Sequence, residues 1–192
     1  MTARGLHLPI SRPGVWLWAA GATVAAAILA ALVARGAGTS IPEGGPHAAR
    51  QAAGIDALLD ASPRGRGYLL DAIDDINACA VTISTLSEIR GAAAARQDLL
   101  AQVDLAVVDD LPRGTRIKSD LHAAVLASYL ADNAYLHWVL VAGERCPTHG
   151  DPAYRDVVAA NAAADAAKRA LVADWNPVAA RYGLPARSTT IV

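Results

Sequence analysis

Two histidines, a tyrosine and an asparagine come closest to a reactive constellation in this chain. His122, Tyr129, Asn133 and His137 fall within an arc of about 80° when placed at 100° per residue on one helix, so they would line a candidate polar groove. Imidazole transfers protons near neutrality, and a neighbouring hydroxyl and amide would orient it. The spacing argues against a shared task. The imidazoles lie fifteen residues apart, about 22 Å along a helix axis, too far to meet at one metal ion or one substrate atom. A polar seam is the expected outcome.

Other chemistry is harder to find. The chain has no His-Glu-x-x-His, no Glu-x-x-His pair of the di-iron type, no Cys-x-x-Cys, no Asp/Gly calcium loop and no Gly-x-Ser-x-Gly. Gly65 and Gly67 in SPRGRG lack the preceding strand and following Lys-Ser/Thr of a phosphate loop. Asp71, Asp74 and Asp75 suit the positive end of a helix, and Asp109 and Asp110 a solvated turn. Accordingly no catalytic residue, metal ligand or cofactor-binding residue is assigned. A convergent enzyme site would need groups from several helices, such as Arg90, Arg116, His122 and Arg145.

Cys79 and Cys146 are the two cysteines. A lone pair in an exported domain most often forms a disulfide, and with 67 positions between them chain entropy would assign the bridge about 4 kcal/mol.

The elements that must position these residues begin with an apolar run. Residues 15–34, VWLWAAGATVAAAILAALVA, carry no charge, and twenty residues at about 1.5 Å each match a bilayer's hydrocarbon thickness. A single N-terminal transmembrane helix is predicted, retained as a signal anchor because no clean small-x-small cleavage site follows. Arg4 and Arg12 before the run nearly balance Arg35 and Arg50 after it, so the cysteines decide orientation. Residues 1–14 are then a short cytoplasmic tail, 35–46 a flexible linker, 47–183 an extracytoplasmic helical domain and 184–192 a loose tail. All 18 acidic residues lie beyond Arg35, against 14 of the 17 basic ones, a formal charge of −4. With no basic patch, nucleic acid is excluded as a partner.

Beyond the linker, helical periodicity dominates. Four elements are predicted: one over about 47–61, stopped by SPRGRG; a long one from Tyr68 to about Asp110; a third, the most enclosed, from Arg116 to Glu144; and a fourth from Asp151-Pro152 to Trp175. Asn176-Pro177 should kink the last element before Gly183 ends it. No stretch alternates as a half-buried strand would. The fold class is therefore all-α, an antiparallel bundle of about four helices behind one membrane anchor.

The closing segment, CPTHGDPAYRDVVAANAAADAAKRALVADWNPVAARYGLPAR, resembles the C-terminal parts of uncharacterised single-pass helical proteins of actinobacteria with a Trp-Asn-Pro then Tyr-Gly-Leu ending. The resemblance covers about the last quarter and implies structural roles for Cys146, Trp175, Asn176, Pro177, Tyr182 and Gly183, and no activity. Function is thus expected to be that of a membrane-anchored extracytoplasmic binding or structural module, held in lipid through residues 15–34 and meeting an envelope protein or a small ligand. The alternatives are a ligand sensor acting through a membrane partner and an exported helical enzyme.

Overall fold

The computed structural model describes residues 45–190, and among these the only regular elements are five α-helices. They are α1 (Gly45–Ala61), α2 (Pro63–Asn77), α3 (Ile83–Leu105), α4 (Gly114–Ala142) and α5 (Tyr154–Arg181). The tail, membrane span and most of the linker predicted over 1–44 lie outside the described residues. Among the described ones, no helix is long and apolar enough to cross a membrane.

Five helices make four rods. Arg96 of α3 meets Ser62 at the head of α2, and Thr85 near the start of α3 meets Asp75 near the end of α2, so these two run antiparallel. Contacts of α1 continue the same line, since Gln51 bonds the Asp110 amide beyond the end of α3. The first rod is therefore α1 followed by α2, divided at Ser62-Pro63. Antiparallel order persists in Gln97 with Tyr129 between α3 and α4, and in Tyr135 with Asn161 between α4 and α5.

Two apolar cores fill the bundle. One, at the α1 end, is built around Ile55, Leu59, Val103, Ile117, Leu121, Leu171 and Trp175. The other, near the far end, gathers Ala72, Ile76, Ile89, Trp138, Val139 and Val157. Beyond it Cys79 and Cys146 form the expected disulfide, with a Cα–Cα distance of 5.2 Å, tying the α2–α3 turn to the α4–α5 turn.

Several boundaries differ from the periodic reading. SPRGRG does not stop the first rod for long: Pro63 takes a first-turn position, where its missing N–H costs nothing, and α2 runs on through Gly65 and Gly67. The long element predicted from Tyr68 to Asp110 is two helices. The break at residues 78–82 holds Cys79 at φ +56°, and Thr82 restarts the chain through a reciprocal cap in which its hydroxyl accepts from the Thr85 amide while Thr85 Oγ1 accepts from the Thr82 amide. α3 then ends at Leu105, where Lys118 Nζ donates to the Asp104 and Ala106 carbonyls at 2.8 and 2.9 Å.

α4 is less enclosed than its sequence suggests, for Leu126, Leu130, Leu140 and Val141 are exposed. At the start of the last rod, Asp151 accepts bonds from the Thr148 amide and Trp138 Nε1, and the helix begins only at Tyr154. It continues unbroken through Pro177. Buried Trp175, Val178 and Ala179 anchor both sides of the proline, and the Asn176 side chain is held by the Arg187 backbone on both its oxygen and its nitrogen. Gly183, at φ +69°, closes the helix as expected: its amide and that of Leu184 bond the Ala180 and Ala179 carbonyls, a left-handed ending that glycine adopts without strain.

The segment predicted to be a loose tail is a strap. Arg187 is 9% exposed, donates from Nε to Asp56 Oδ1 at 3.1 Å and from Nη1 to Asp60 Oδ1 at 2.6 Å, and so clasps α1 against the end of α5. Replacing Arg187 by Ala should lower the melting temperature by about 3–6 °C, the shift expected when a domain of this size loses about 1–2 kcal/mol. Calorimetry showing a change within about a degree would mean that the strap carries no load.

Candidate functional site

Between the two apolar cores lies a layer that is not apolar. Arg96 of α3 and Asp132 of α4 are 5% and 2% exposed, and Ser62 and Ser128 are buried beside them. Each occupies a position that helical spacing assigns to the core: Arg96 falls between Ala92/Ala93 and Leu99 on α3, and Ser128 and Asp132 between Val125 and Val139 on α4. Gly65 lets the guanidinium in. A Cβ there would stand 3.2 Å from the Ala92 carbonyl oxygen and 3.4 Å from Arg96 Nε and Cζ, so the bare backbone of α2 is what gives this residue its room.

The guanidinium is half satisfied. Its Nη1 donates to the Ser62 carbonyl at 2.6 Å and to Ser62 Oγ at 3.2 Å. Its Nε lies 3.8 Å from Asp132 Oδ2, beyond hydrogen-bonding reach, and no other protein group bonds either buried atom. An unmet buried donor or acceptor costs about 1–3 kcal/mol. Both residues line a cavity of about 170 Å³ between α2 and α5, two helices that hardly touch one another. Arg66 and Lys168 complete its cationic side, Asp165 and the Tyr135 hydroxyl add polar groups, and Leu69, Leu70 and Ile73 supply an apolar wall. Arg66 also donates to the Thr190 carbonyl at 2.6 Å, which brings the strap to the cavity's rim.

Burial governs the charges here. Desolvation pushes the Asp132 carboxyl up to about 7, despite the opposing pull of Arg96 and Lys168. Lys168 is pushed down, first by burial and then by Arg96 and Arg66, and Arg96 is lowered by burial more than Asp132 raises it. The Tyr135 hydroxyl is raised by burial although it accepts a bond from Asn161 Nδ2 at 3.1 Å.

A second charged knot sits at the α1 end, where Arg113 and Arg116 at the start of α4 both donate to Asp174 of α5. Hydrogen bonding to Arg116 holds the Asp174 carboxyl below its usual range, while burial raises neighbouring Asp120. Asp174 is met by both arginines, which marks the knot as a clamp, while Asp120 Oδ2 lies 3.8 Å from Arg116 Nε without a hydrogen bond. An open groove of about 400 Å³ lies nearby, lined by Ile55, Leu58, Leu105 and Val107. It is larger than the Arg96 cavity, but it holds no buried charge that could orient a ligand.

The four residues of the predicted polar groove are placed along α4 without converging. His122 Nε2 stands 3.7 Å from Asp104 on a partly exposed face, the Tyr129 hydroxyl accepts from Gln97, Asn133 donates to the Tyr129 carbonyl, and His137 is exposed. None of them lines the Arg96 cavity. Among the described residues no group of three or more His, Cys, Asp or Glu could hold a metal ion. Sequence reasoning passed over Arg96 and Asp132, although a charge that interrupts an apolar stripe was a readable signal at both positions.

No family model matches the chain, and neither the curated proteins nor the solved structures include a match. Of the positions marked by the actinobacterial resemblance, Cys146 is in the disulfide, Trp175 is fully buried, Asn176 holds Arg187, and Tyr182 and Gly183 form the helix ending.

The Asp132 shift has a definite sign. Its folded pKa of about 7 lies above the ordinary 3.8, so between those values the folded chain keeps a proton that the unfolded chain has released. This contribution is whole below about pH 4 and is lost as pH rises to 7, by no more than about 4 kcal/mol. Urea unfolding of wild type and Asp132→Asn should therefore show the stability of wild type falling relative to the variant between pH 4.5 and 7.5. Parallel pH profiles would place the Asp132 pKa near that of a solvated carboxylate.

Proposed function

We propose that this chain is a membrane-anchored module whose helical domain, outside the cytoplasm, binds a small organic anion in the crevice between α2 and α5. One observation carries the reading: two almost fully buried, opposite charges face a cavity with a donor and an acceptor that no protein group meets. A bundle built only for stability gains more from apolar residues at such positions, because two charges taken out of water are repaid only by close, fully bonded geometry. Pockets for small molecules combine an apolar wall with a few convergent polar groups, and this one does so. Its three cations, Arg66, Arg96 and Lys168, outnumber Asp132 and Asp165, which favours an anion over a cation.

The anchor and the exported location rest on the uncharged run at 15–34 and on a disulfide suited to an oxidising compartment. Maleimide labelling of intact and permeabilised cells, with and without reductant, tests the location: Cys79 and Cys146 should react only after reduction, and free thiols on a cytoplasmic domain would refute export.

Binding is tested by calorimetric titration of the full chain in lipid nanodiscs with butyrate and with butylammonium. Butyrate should bind saturably with a Kd of order millimolar, as suits so few heavy atoms, and butylammonium should not bind. Lys168→Ala should weaken butyrate by about tenfold, since a charge-assisted bond is lost. No saturable butyrate signal, or equal binding by wild type and variant, would dispose of the proposal.

A further inference from the structure

The polar cavity does not end at Tyr135. A second cavity of about 190 Å³ begins there, and Ile73 and Tyr135 line both. Its far wall is aromatic: Tyr154 lies 4.8 Å from the Trp138 ring, centroid to centroid, and His149 stacks on Tyr154 at 4.4 Å. Ile76 of α2 adds aliphatic surface. Both cavities thus open along the same seam of the bundle, the one where α2 and α5 hardly touch.

The chemistry changes along that seam. At the mid-bundle end stand Arg96 Nε, without a hydrogen-bond partner, and Lys168, which feels the pull of Asp165 and Asp132. Arg66 adds a third cation there against Asp132 and Asp165, an excess of basic over acidic groups that suits a carboxylate. At the other end no Asp, Glu, Lys or Arg is among the lining residues: Ile76, Trp138 and Tyr154 share it with Asn77 and His149, and the nearby Asp151 carboxylate accepts the Trp138 N–H. From Asp132 to Trp138 the axis of α4 advances about 9 Å, so the two ends are within the span of one eight-carbon chain.

We infer that the crevice takes one elongated monoanion, a medium-chain carboxylic acid, with its carboxylate between Arg96 and Lys168 and its alkyl tail passing Ile73 to end on Trp138 and Tyr154. This rests on the reading above that the crevice binds a small organic anion, and it assigns that ligand a length and a polarity. The carboxylate would use the Nε side of a guanidinium whose Nη1 is already fixed by Ser62, a fork that suits two oxygens. Ile73 and Tyr135 form the neck through which the tail must pass.

The test is a chain-length series on the full protein in nanodiscs, with the heat of identical empty nanodiscs subtracted. Butyrate, hexanoate, octanoate, 1-octanol and octylammonium are titrated into wild type and into Ile73→Trp, which fills the neck. Affinity should climb with each added pair of carbons, octanoate binding on the order of 200-fold tighter than butyrate if all four added methylenes are buried, while 1-octanol and octylammonium give no saturable heat. In Ile73→Trp the gain with length should vanish, octanoate and butyrate binding with equal affinity. Equal affinities for butyrate and octanoate in wild type would confine the ligand to the polar cavity and overturn the inference, leaving the anion site standing. Octanol binding as well as octanoate would overturn it too, by showing a tail without a head. If no carboxylate binds wild type, the underlying anion site fails. Should Ile73→Trp not fold, or lose butyrate as well, the wild-type series still decides, because a site confined to the polar cavity gives no steady gain out to eight carbons.

Discussion

A buried charge layer at mid-bundle is the constraint around which the rest of the structure is arranged. Arg96 and Asp132 occupy core positions of α3 and α4, and they divide what would have been one apolar core into two. Taking a guanidinium and a carboxylate out of water is costly, and attraction at 3.8 Å without a hydrogen bond repays only part of that cost. The neighbourhood responds accordingly. Ser62 turns both its carbonyl and its hydroxyl to Arg96, Gly65 withdraws to make room, and the carboxyl of Asp132 gives up much of its acidity.

The interruption of the first rod lies against the same layer. Ser62, at the junction of α1 and α2, meets Arg96 with its carbonyl and hydroxyl, while Pro63 has no amide for the Leu59 carbonyl, which the Ser62 amide takes instead. The ends of the bundle are held by other means: the disulfide at one, and at the other Asp174 with its two arginines and the Arg187 strap. Alanine-rich contact faces such as those of α3 and α5 bury little apolar area per residue, so ties at both ends suit a bundle with a costly middle. They also leave the α2–α5 seam free to stay open.

Much of the architecture was legible in the residues themselves. The 3.6-residue stride of Leu86, Ile89, Ala93 and Val103 and their counterparts on the other rods dictates helices, Pro112 and Gly114 dictate a reversal, and the two cysteines dictate their own pairing once the fold is antiparallel. Other local signals were outweighed. Pro177 ought to interrupt α5, yet Trp175, Val178 and Ala179 are buried on either side of it and the Asn176 amide is gripped by Arg187. In the opposite sense, an apolar stride from Ile76 to Ile83 gave no warning of the turn at Cys79, because the capping pair Thr82 and Thr85 looks like ordinary helix composition until both hydroxyls are seen to close on each other's amides.

The sequence by itself determined that this domain is helical, that its strands of chain run back and forth, and that its cysteines can be joined, since periodicity, turn residues and cysteine count are properties of neighbours along the chain. Only the tertiary structure decided which charged residues are enclosed. Arg96 and Asp132 are 36 positions apart, Asp132 and Lys168 another 36, and nothing local marks them as companions. Spacing puts Arg96 and Asp132 each on the core side of its own helix, but which group it meets there depends on what the other helices place around it, and that is settled by packing.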